Sequence, residues 1–184
     1  YDKQNLPNYA VFDERRYFTP GTMPLVIELK GCKLGVIICE DLWGLESARQ
    51  ARMAGAELLL TPNASPYDGD KLAARMAALT ANHGEHGLPV VYCNLVGGQD
   101  ELVFDGRSML MSRDGQISSP GPLCDEALLL AEFHPGSGSL EALAWPAPPA
   151  ESQAEVYRVL TCGMADYVHK NGFTDVVFGL SGGI

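Results

Sequence analysis

Cys39 is the residue of this sequence best placed for covalent chemistry. It closes the hydrophobic run Gly35-Val36-Ile37-Ile38 and is followed at once by Glu40 and Asp41, then by Leu42-Trp43-Gly44. A short apolar run rich in β-branched residues and bounded by glycine and polar residues predicts a buried strand. The C-terminal end of such a strand is where α/β folds place reacting groups. A thiol there attacks a carbonyl carbon as thiolate, so it needs a base or a cation nearby, and the oxyanion it creates needs a donor. The competing reading is a small buried hydrophobe, the common fate of a free cysteine. The polar residues directly after Cys39 weigh against it.

The elements that must position this thiol follow an α/β order. Tyr1 to Gly21 is dense in aromatic and charged residues without periodicity and predicts an ordered loop, closed by Thr19-Pro20-Gly21. Leu25 to Lys30 and Lys33 to Cys39 predict an antiparallel pair of strands about Gly31-Cys32, Glu46 to Ala54 a short helix stopped by Gly55, and Glu57 to Thr61 a buried strand. After the turn residues Pro62 to Tyr67, a helix is predicted from about Gly69 to His83. Leu72, Met76 and Leu79 share its core face, while Lys71 and Arg75 share a face that is exposed or lines a site. Pro89 to Val96 predicts a strand, Gly97-Gly98-Gln99-Asp100 a turn, and Leu102 to Phe104 with Arg107 to Ser112 a hairpin about Asp105-Gly106. Ala127 to Phe133 predicts one more apolar strand. His134 to Ala150, with Pro135, Pro146, Pro148 and Pro149, has a linker composition.

A second unit is predicted beyond the linker. Ser152-Gln153-Ala154-Glu155 is a capping-box pattern, Val156, Leu160, Met164 and Tyr167 share one helix face, and Asn171-Gly172 ends the helix. Thr174 to Leu180 predicts a buried strand. Ser181-Gly182-Gly183 then opens a Gly-rich loop, the form in which a phosphate cradle begins.

With 46% hydrophobic and 20% charged residues, the 184-residue chain has the composition of a packed globular protein. Its net charge of −10 disfavours a nucleic-acid or anionic-membrane surface. The cysteines, Cys32, Cys39, Cys93, Cys124 and Cys162, show no CxxC spacing, which fits a reducing, cytoplasmic compartment. His83 and His86 lack a third ligand, so a solvated helix end is expected of them and no metal. No run approaches the roughly 18 apolar residues of a membrane span. The chain opens on Tyr1 and stops in mid-pattern on Ile184, so part of a longer chain is expected.

Two segments resemble the nitrilase superfamily. Lys3-Gln4-Asn5-Leu6-Pro7-Asn8-Tyr9, continued by Val11 to Gly21, resembles its lysine segment, and Ile38-Cys39-Glu40-Asp41-Leu42-Trp43 its cysteine segment. Asn63-Ala64-Ser65-Pro66-Tyr67, Asn94 to Asp100 and Phe104-Asp105-Gly106-Arg107-Ser108 narrow the resemblance to the glutaminase domain of glutamine-dependent NAD⁺ synthetases. Gly179-Leu180-Ser181-Gly182-Gly183-Ile184 resembles the start of the pyrophosphatase loop that opens the synthetase domain of that family. The fold implied is α/β. Residues 1–133 would form the C-terminal portion of a nitrilase-type α-β-β-α sandwich and 134–151 a Pro/Gly-rich linker. Residues 152–184 would form the first helix and strand of an adenine-nucleotide alpha-hydrolase-like domain.

The resemblance also implies roles. Cys39 would attack the glutamine carboxamide, form a γ-glutamyl thioester and release ammonia; Lys3 and the backbone N–H of Glu40 would hold the oxyanion. The family's general base is a glutamate upstream of the lysine segment, outside these residues. Glu14 would support Lys3, or else pair with Arg15 or Arg16. Tyr9, Ser65, Lys71 and Glu40 match positions that hold glutamine, against plain readings as a packed tyrosine, a turn serine, a solvated lysine and a residue orienting the turn. Gly179, Ser181, Gly182 and Gly183 would cradle ATP phosphates, with Mg²⁺ accompanying ATP. The implied partners are glutamine, ATP and deamido-NAD⁺, in a homo-oligomeric assembly, and the implied products are NAD⁺, AMP and pyrophosphate. Two rivals stand beside this: a superfamily amidase without a synthetase partner, and a catalytically inert piece of the parent enzyme.

Overall fold

The computed structural model describes residues 1–143, 145 and 152–182. Residues 144 and 146–151 of the expected linker, Gly183, Ile184 and the side chains of Ser152 and Gln153 lie outside the described residues.

Strands β1 (Leu25–Leu29) and β2 (Cys32–Val36) pair antiparallel. They are joined by Lys30-Gly31, both at positive φ (51° and 78°), the backbone of a two-residue hairpin whose twist suits the flanking strands. Helix α1 (Glu46–Met53) leads into β3 (Leu58–Asn63), and α2 (Lys71–His86), ended by Gly87 in the left-handed conformation, leads into β4 (Val90–Asn94). Strands β2, β3 and β4 run parallel, the arrangement that helical crossovers permit. Strands β5 (Val96–Gln99) and β6 (Leu102–Asp105) form their own antiparallel ribbon, and β7 (Met109–Met111) returns to pair antiparallel with β4. The main sheet is therefore five-stranded, in the order β1-β2-β3-β4-β7.

The two-residue period of a strand divides this sheet into two faces. Leu59, Val90, Tyr92, Met109 and Met111 pack on one side with Ala48 and Ala51 of α1 and Leu79 of α2. Leu34, Leu58 and Leu110 pack on the other with Leu140 and, at its margin, Phe133 and Trp145. That second layer is the hairpin of β8 (Leu130–His134) and β9 (Ser139–Leu143), to which Trp145 Nε1 is tied by donating to the Leu130 carbonyl at 2.8 Å. Gly35 lets α1 lie close to the sheet. A Cβ there would stand 3.0 Å from Ala56 Cβ and Leu59 Cδ2 and 3.1 Å from Ala51 Cβ.

Several expectations are corrected. Strand β6 does not form a hairpin about Asp105-Gly106; Gly106 and Arg107, at φ 69° and 55°, turn the chain out of the ribbon and across to β4. The turn expected at 97–100 begins only at Asp100, because Val96–Gln99 is strand. The linker reading fails from 139 to 143, which is β9, since Leu140 and its partner Phe133 cover the sheet. Strand β2 stops at Val36, although the Ile37 amide still donates to the Leu60 carbonyl at 3.2 Å.

Helix α3 (Ser152–Lys170) packs against β5 and β6 through the face that carries Glu155, Val159, Gly163 and Asp166. A Cβ on Gly98 would lie 3.0 Å from Gly163 Cα, so the two backbones meet directly. Asp166 Oδ2 accepts from the Gly98 amide at 2.6 Å, and Arg107 forks onto Glu155 at 2.6 and 3.1 Å. These polar and backbone contacts select the face; the stripe Val156, Leu160, Met164 and Tyr167 is exposed. Thr174 to Leu180 is not a strand. It pairs with no described strand, and Val176, Val177, Phe178 and Leu180 stand in solvent; a β-branched run needs a neighbouring strand to satisfy its backbone. Among the described residues no helix is long and apolar enough to cross a membrane.

Gly35→Val should lower stability by about 1–3 kcal/mol through overpacking under α1. Urea melts would show a lower midpoint with an unchanged slope.

Candidate active site

Cys39 opens a tight turn of 3-10 helix, Cys39–Leu42, directly after the β2 segment, and it stands at φ 46°. The left-handed backbone throws its side chain off the line of the strand. The thiol is 9% exposed and meets a cavity of about 510 Å³ that Lys3, Glu14, Ala64 and Phe104 also line. Lys3 Nζ donates to both carboxylate oxygens of Glu14, at 2.8 and 2.7 Å. Of the two readings open for Glu14, the structure shows the pairing with Lys3; Arg16 pairs with Asp13, and Arg15 donates to the Leu6 carbonyl.

Asp41, for which no separate role is expected from the sequence, ties the segment that carries Lys3 to the turn of Cys39. Asp41 is wholly buried, two positions after the thiol. Its Oδ1 accepts from the amides of Gln4 (3.1 Å) and Asn5 (2.7 Å), and its Oδ2 from Tyr1 Oη (2.8 Å) and the amide of Ile38 (3.0 Å). Ser47 Oγ of α1 stands 3.4 Å from Oδ1 and 3.0 Å from Gln4 Oε1. No sequence signal marks it, because the amides it gathers are backbone groups of another loop.

Burial pushes the Cys39 thiol above its ordinary pKa; the Lys3 ammonium and the Ala64 amide draw it back down, while Glu40 and Glu14 push it up. Among the groups that shift the thiol, Lys3 is the cation that favours its ionised form. Among the described residues no carboxylate or imidazole hydrogen-bonds to the Cys39 sulfur.

The remaining candidates are dispersed. Tyr9 Oη donates to Glu40 Oε1 at 2.8 Å, and both line a neighbouring cavity of about 730 Å³ with Arg15 and Trp43. Burial, then the bond to Glu40, raises the Tyr9 hydroxyl to about 12. Lys71 Nζ lies 4.7 Å from the centre of the Trp43 ring, a cation held against a π face. Ser65 is 2% exposed and lines neither cavity; its hydroxyl accepts from Arg75 Nε at 3.2 Å. Arg75 itself is wholly buried, contrary to the exposed or site-lining face expected of it, because Asp105 takes its guanidinium at 2.8 and 3.0 Å and the Ser65 carbonyl at 2.8 Å. Gly179, Ser181 and Gly182 lie exposed in the stretch without strand partners and line neither cavity. His83 and His86 bond to the carbonyls of Arg113 and Leu45.

The carbon-nitrogen hydrolase family matches residues 1–138. The chain belongs to that family. It is 43% identical over 184 residues to the glutamine-dependent NAD(+) synthetase of Acinetobacter baylyi and 45% identical over 187 residues to that of Xanthomonas campestris pv. campestris; both alignments take in all of this chain and 34% of the relative. It thus spans about a third of the length of the curated relatives it matches. Among solved structures, the glutamine-dependent NAD⁺ synthetase of Acinetobacter baumannii in complex with ADP superposes with a TM-score of 0.87 at 40% identity, over 96% of this chain and 33% of that one. An amidase from Nesterenkonia sp. AN1, in which acrylamide has added to the active-site cysteine, superposes with a TM-score of 0.57 at 30% identity, over 66% of this chain and 46% of that one. The nitrilase-type α/β fold follows from the family match and these likenesses.

Lys3→Met should shift the half-maximal pH of Cys39 alkylation by iodoacetamide upward by about one unit, an approximately tenfold slowing at fixed pH. Mass mapping of the Cys39 peptide across a pH series checks the direction and the size.

Proposed function

We propose that this chain is the glutamine-hydrolysing part of a glutamine-dependent NAD⁺ synthetase, together with the first helix of its synthetase part. The observation that carries the proposal is the buried thiol of Cys39 on a left-handed turn, sharing one cavity with the Lys3–Glu14 ion pair, in a chain alike from end to end to such synthetases.

The Cys39 thiolate attacks the carboxamide carbon of glutamine. The carbonyl electron pair moves to oxygen, where the Lys3 ammonium and the Glu40 amide take the developing charge. Collapse expels the amide nitrogen, which leaves as ammonia once protonated, and the γ-glutamyl thioester remains. Water then cleaves the thioester to glutamate and returns the thiol. Glu14 orients Lys3 and offsets its charge in the resting site. Glu40 and Tyr9 face the α-amino group of glutamine, and Lys71, braced by Trp43, faces its carboxylate; Ser65 orders the turn behind the thiol. In the complete enzyme the ammonia displaces AMP from adenylated deamido-NAD⁺, whose formation from ATP has already released pyrophosphate. The loop begun by Gly179, Ser181, Gly182 and Gly183 belongs to that ATP site. Mg²⁺ would arrive there with ATP; among the described residues no group of three His, Cys, Asp or Glu could hold it, so none of the steps above is routed through it.

Because no base hydrogen-bonds to Cys39 among the described residues, the 184-residue chain by itself should bind glutamine and turn it over slowly. Millimolar glutamine should slow Cys39 alkylation several-fold while propionamide at the same concentration does not; equal protection by both would favour a simple amidase. Rapid, Cys39-dependent ammonia release from this chain alone would overturn the expectation of slow turnover.

A further inference from the structure

We propose that Asp41 is a positioning residue of the nucleophilic site, setting the distance between the Lys3 ammonium and the Cys39 sulfur. Lys3 sits on a segment without regular structure, and its own side chain is bonded only to Glu14 of that same segment. Nothing in that pair fixes the ammonium relative to the thiol. The amides on its C-terminal side, Gln4 and Asn5, and the Tyr1 hydroxyl on its N-terminal side all converge on one carboxylate. That carboxylate belongs to the turn that begins with Cys39 and closes it by accepting from the Ile38 amide at 3.0 Å. One wholly buried anion thus joins two loops that share no strand pairing, one bearing the cation and the other the sulfur. A buried carboxylate with several fixed donors is restricted to one geometry, and it transmits that restriction to Lys3.

The sign of its effect separates this role from simple electrostatics. Loss of a nearby negative charge, by itself, makes a thiolate easier to form and lowers the alkylation midpoint. Loss of a positioning residue releases Lys3 and raises it. The charged and titratable groups facing Cys39 are Lys3, Glu14 and Tyr9 from the N-terminal segment, Glu40 from its own turn and Tyr92 from β4, with the Ala64 amide at the end of β3; Asp41→Asn leaves all of them in the sequence.

The inference rests on Cys39 and Lys3 forming the reacting pair. The test reads the thiol directly, so it stands whether or not glutamine is the substrate. Cys39 alkylation by iodoacetamide is followed against pH in the wild-type chain, Lys3→Met, Asp41→Asn and the double variant. We expect Asp41→Asn to raise the midpoint by about one unit, matching Lys3→Met, and the double variant to go no further than Lys3→Met alone, since two residues acting through one interaction are not additive. A midpoint that falls or stays in place in Asp41→Asn, or a double variant in which the two shifts add in full, would overturn the assignment. Should Asp41→Asn fail to melt cooperatively, Ser47→Ala decides instead. It keeps the Asp41 charge, suits helix α1 and removes the hydroxyl that braces Asp41 and Gln4. It should raise the midpoint by a smaller amount in the wild-type background and leave it unmoved in Lys3→Met; no shift in the first, or an equal shift in both, refutes the proposal.

Discussion

A guanidinium cut off from water must find protein acceptors for its N–H groups, and the way Arg75 does so governs the site end of this molecule. Arg75 projects from α2 into a wholly buried position and draws in the Asp105 carboxylate at the end of β6 and the Ser65 hydroxyl and carbonyl after β3, with the Pro66 carbonyl at 3.3 Å. Asn94, at the end of β4, completes the knot: its Oδ1 accepts from the Ser65 amide, and its Nδ2 donates to the carbonyls of Ser65 and Gly106. The C-terminal ends of three elements are thereby tied behind the thiol. A buried ion pair adds little net stability over a well-packed apolar pair, but removing one partner strands the other, so it specifies an arrangement more than it strengthens one. The turn that brings Ala64 to the cavity of Cys39 is held by this specification.

Around that knot the chemistry is a contest between desolvation and one cation. The Cys39 thiol is buried enough that water does little to support its ionised form, and Glu40 and Glu14 oppose ionisation further. The Lys3 ammonium works against all of these. Glu14 gives with one hand what it takes with the other. It orients the ammonium toward the cavity by accepting two of its N–H bonds, and it dilutes the positive field felt by the sulfur. A site poised in this way is quiet until a base or a bound substrate tips it.

Much of the architecture was legible in the sequence because it is written in local pattern. The β1–β2 pair, α1, β3, α2 and β4 were all marked by apolar periodicity and by Gly55 and the Asn-Ala-Ser-Pro turn. Arg75 was misjudged for the same reason: an arginine four residues from Lys71 on a helix looks like a solvated face, and only the distant Asp105 makes its burial tolerable. The hairpin about Asp105-Gly106 was misread because Asp-Gly is a turn signal whichever strand comes next. The true partner of β7 is β4, a choice made by the sheet and not by the turn. Thr174 to Leu180 shows the opposite failure, a run with every local mark of a strand and no edge to join. At the site, Cys39 is marked by its place at the end of an apolar run before two carboxylates, while Lys3 and Glu14 come from the resemblance alone. Asp41 was passed over because its importance lies in the amides it gathers from another loop, and amides leave no trace in a sequence.

Cys39 stands at a backbone angle that an L-residue adopts reluctantly, at a cost of about 1–3 kcal/mol. Glycine would adopt it freely. The chain therefore sets a side chain where the fold alone would ask for none, and the strain is borne by its neighbours: the Ile38 amide and the buried carboxylate of Asp41 close the turn. On the proposed reading, the nucleophile is thus set in place before any substrate arrives, and folding has already performed reorganisation that the reaction would otherwise need.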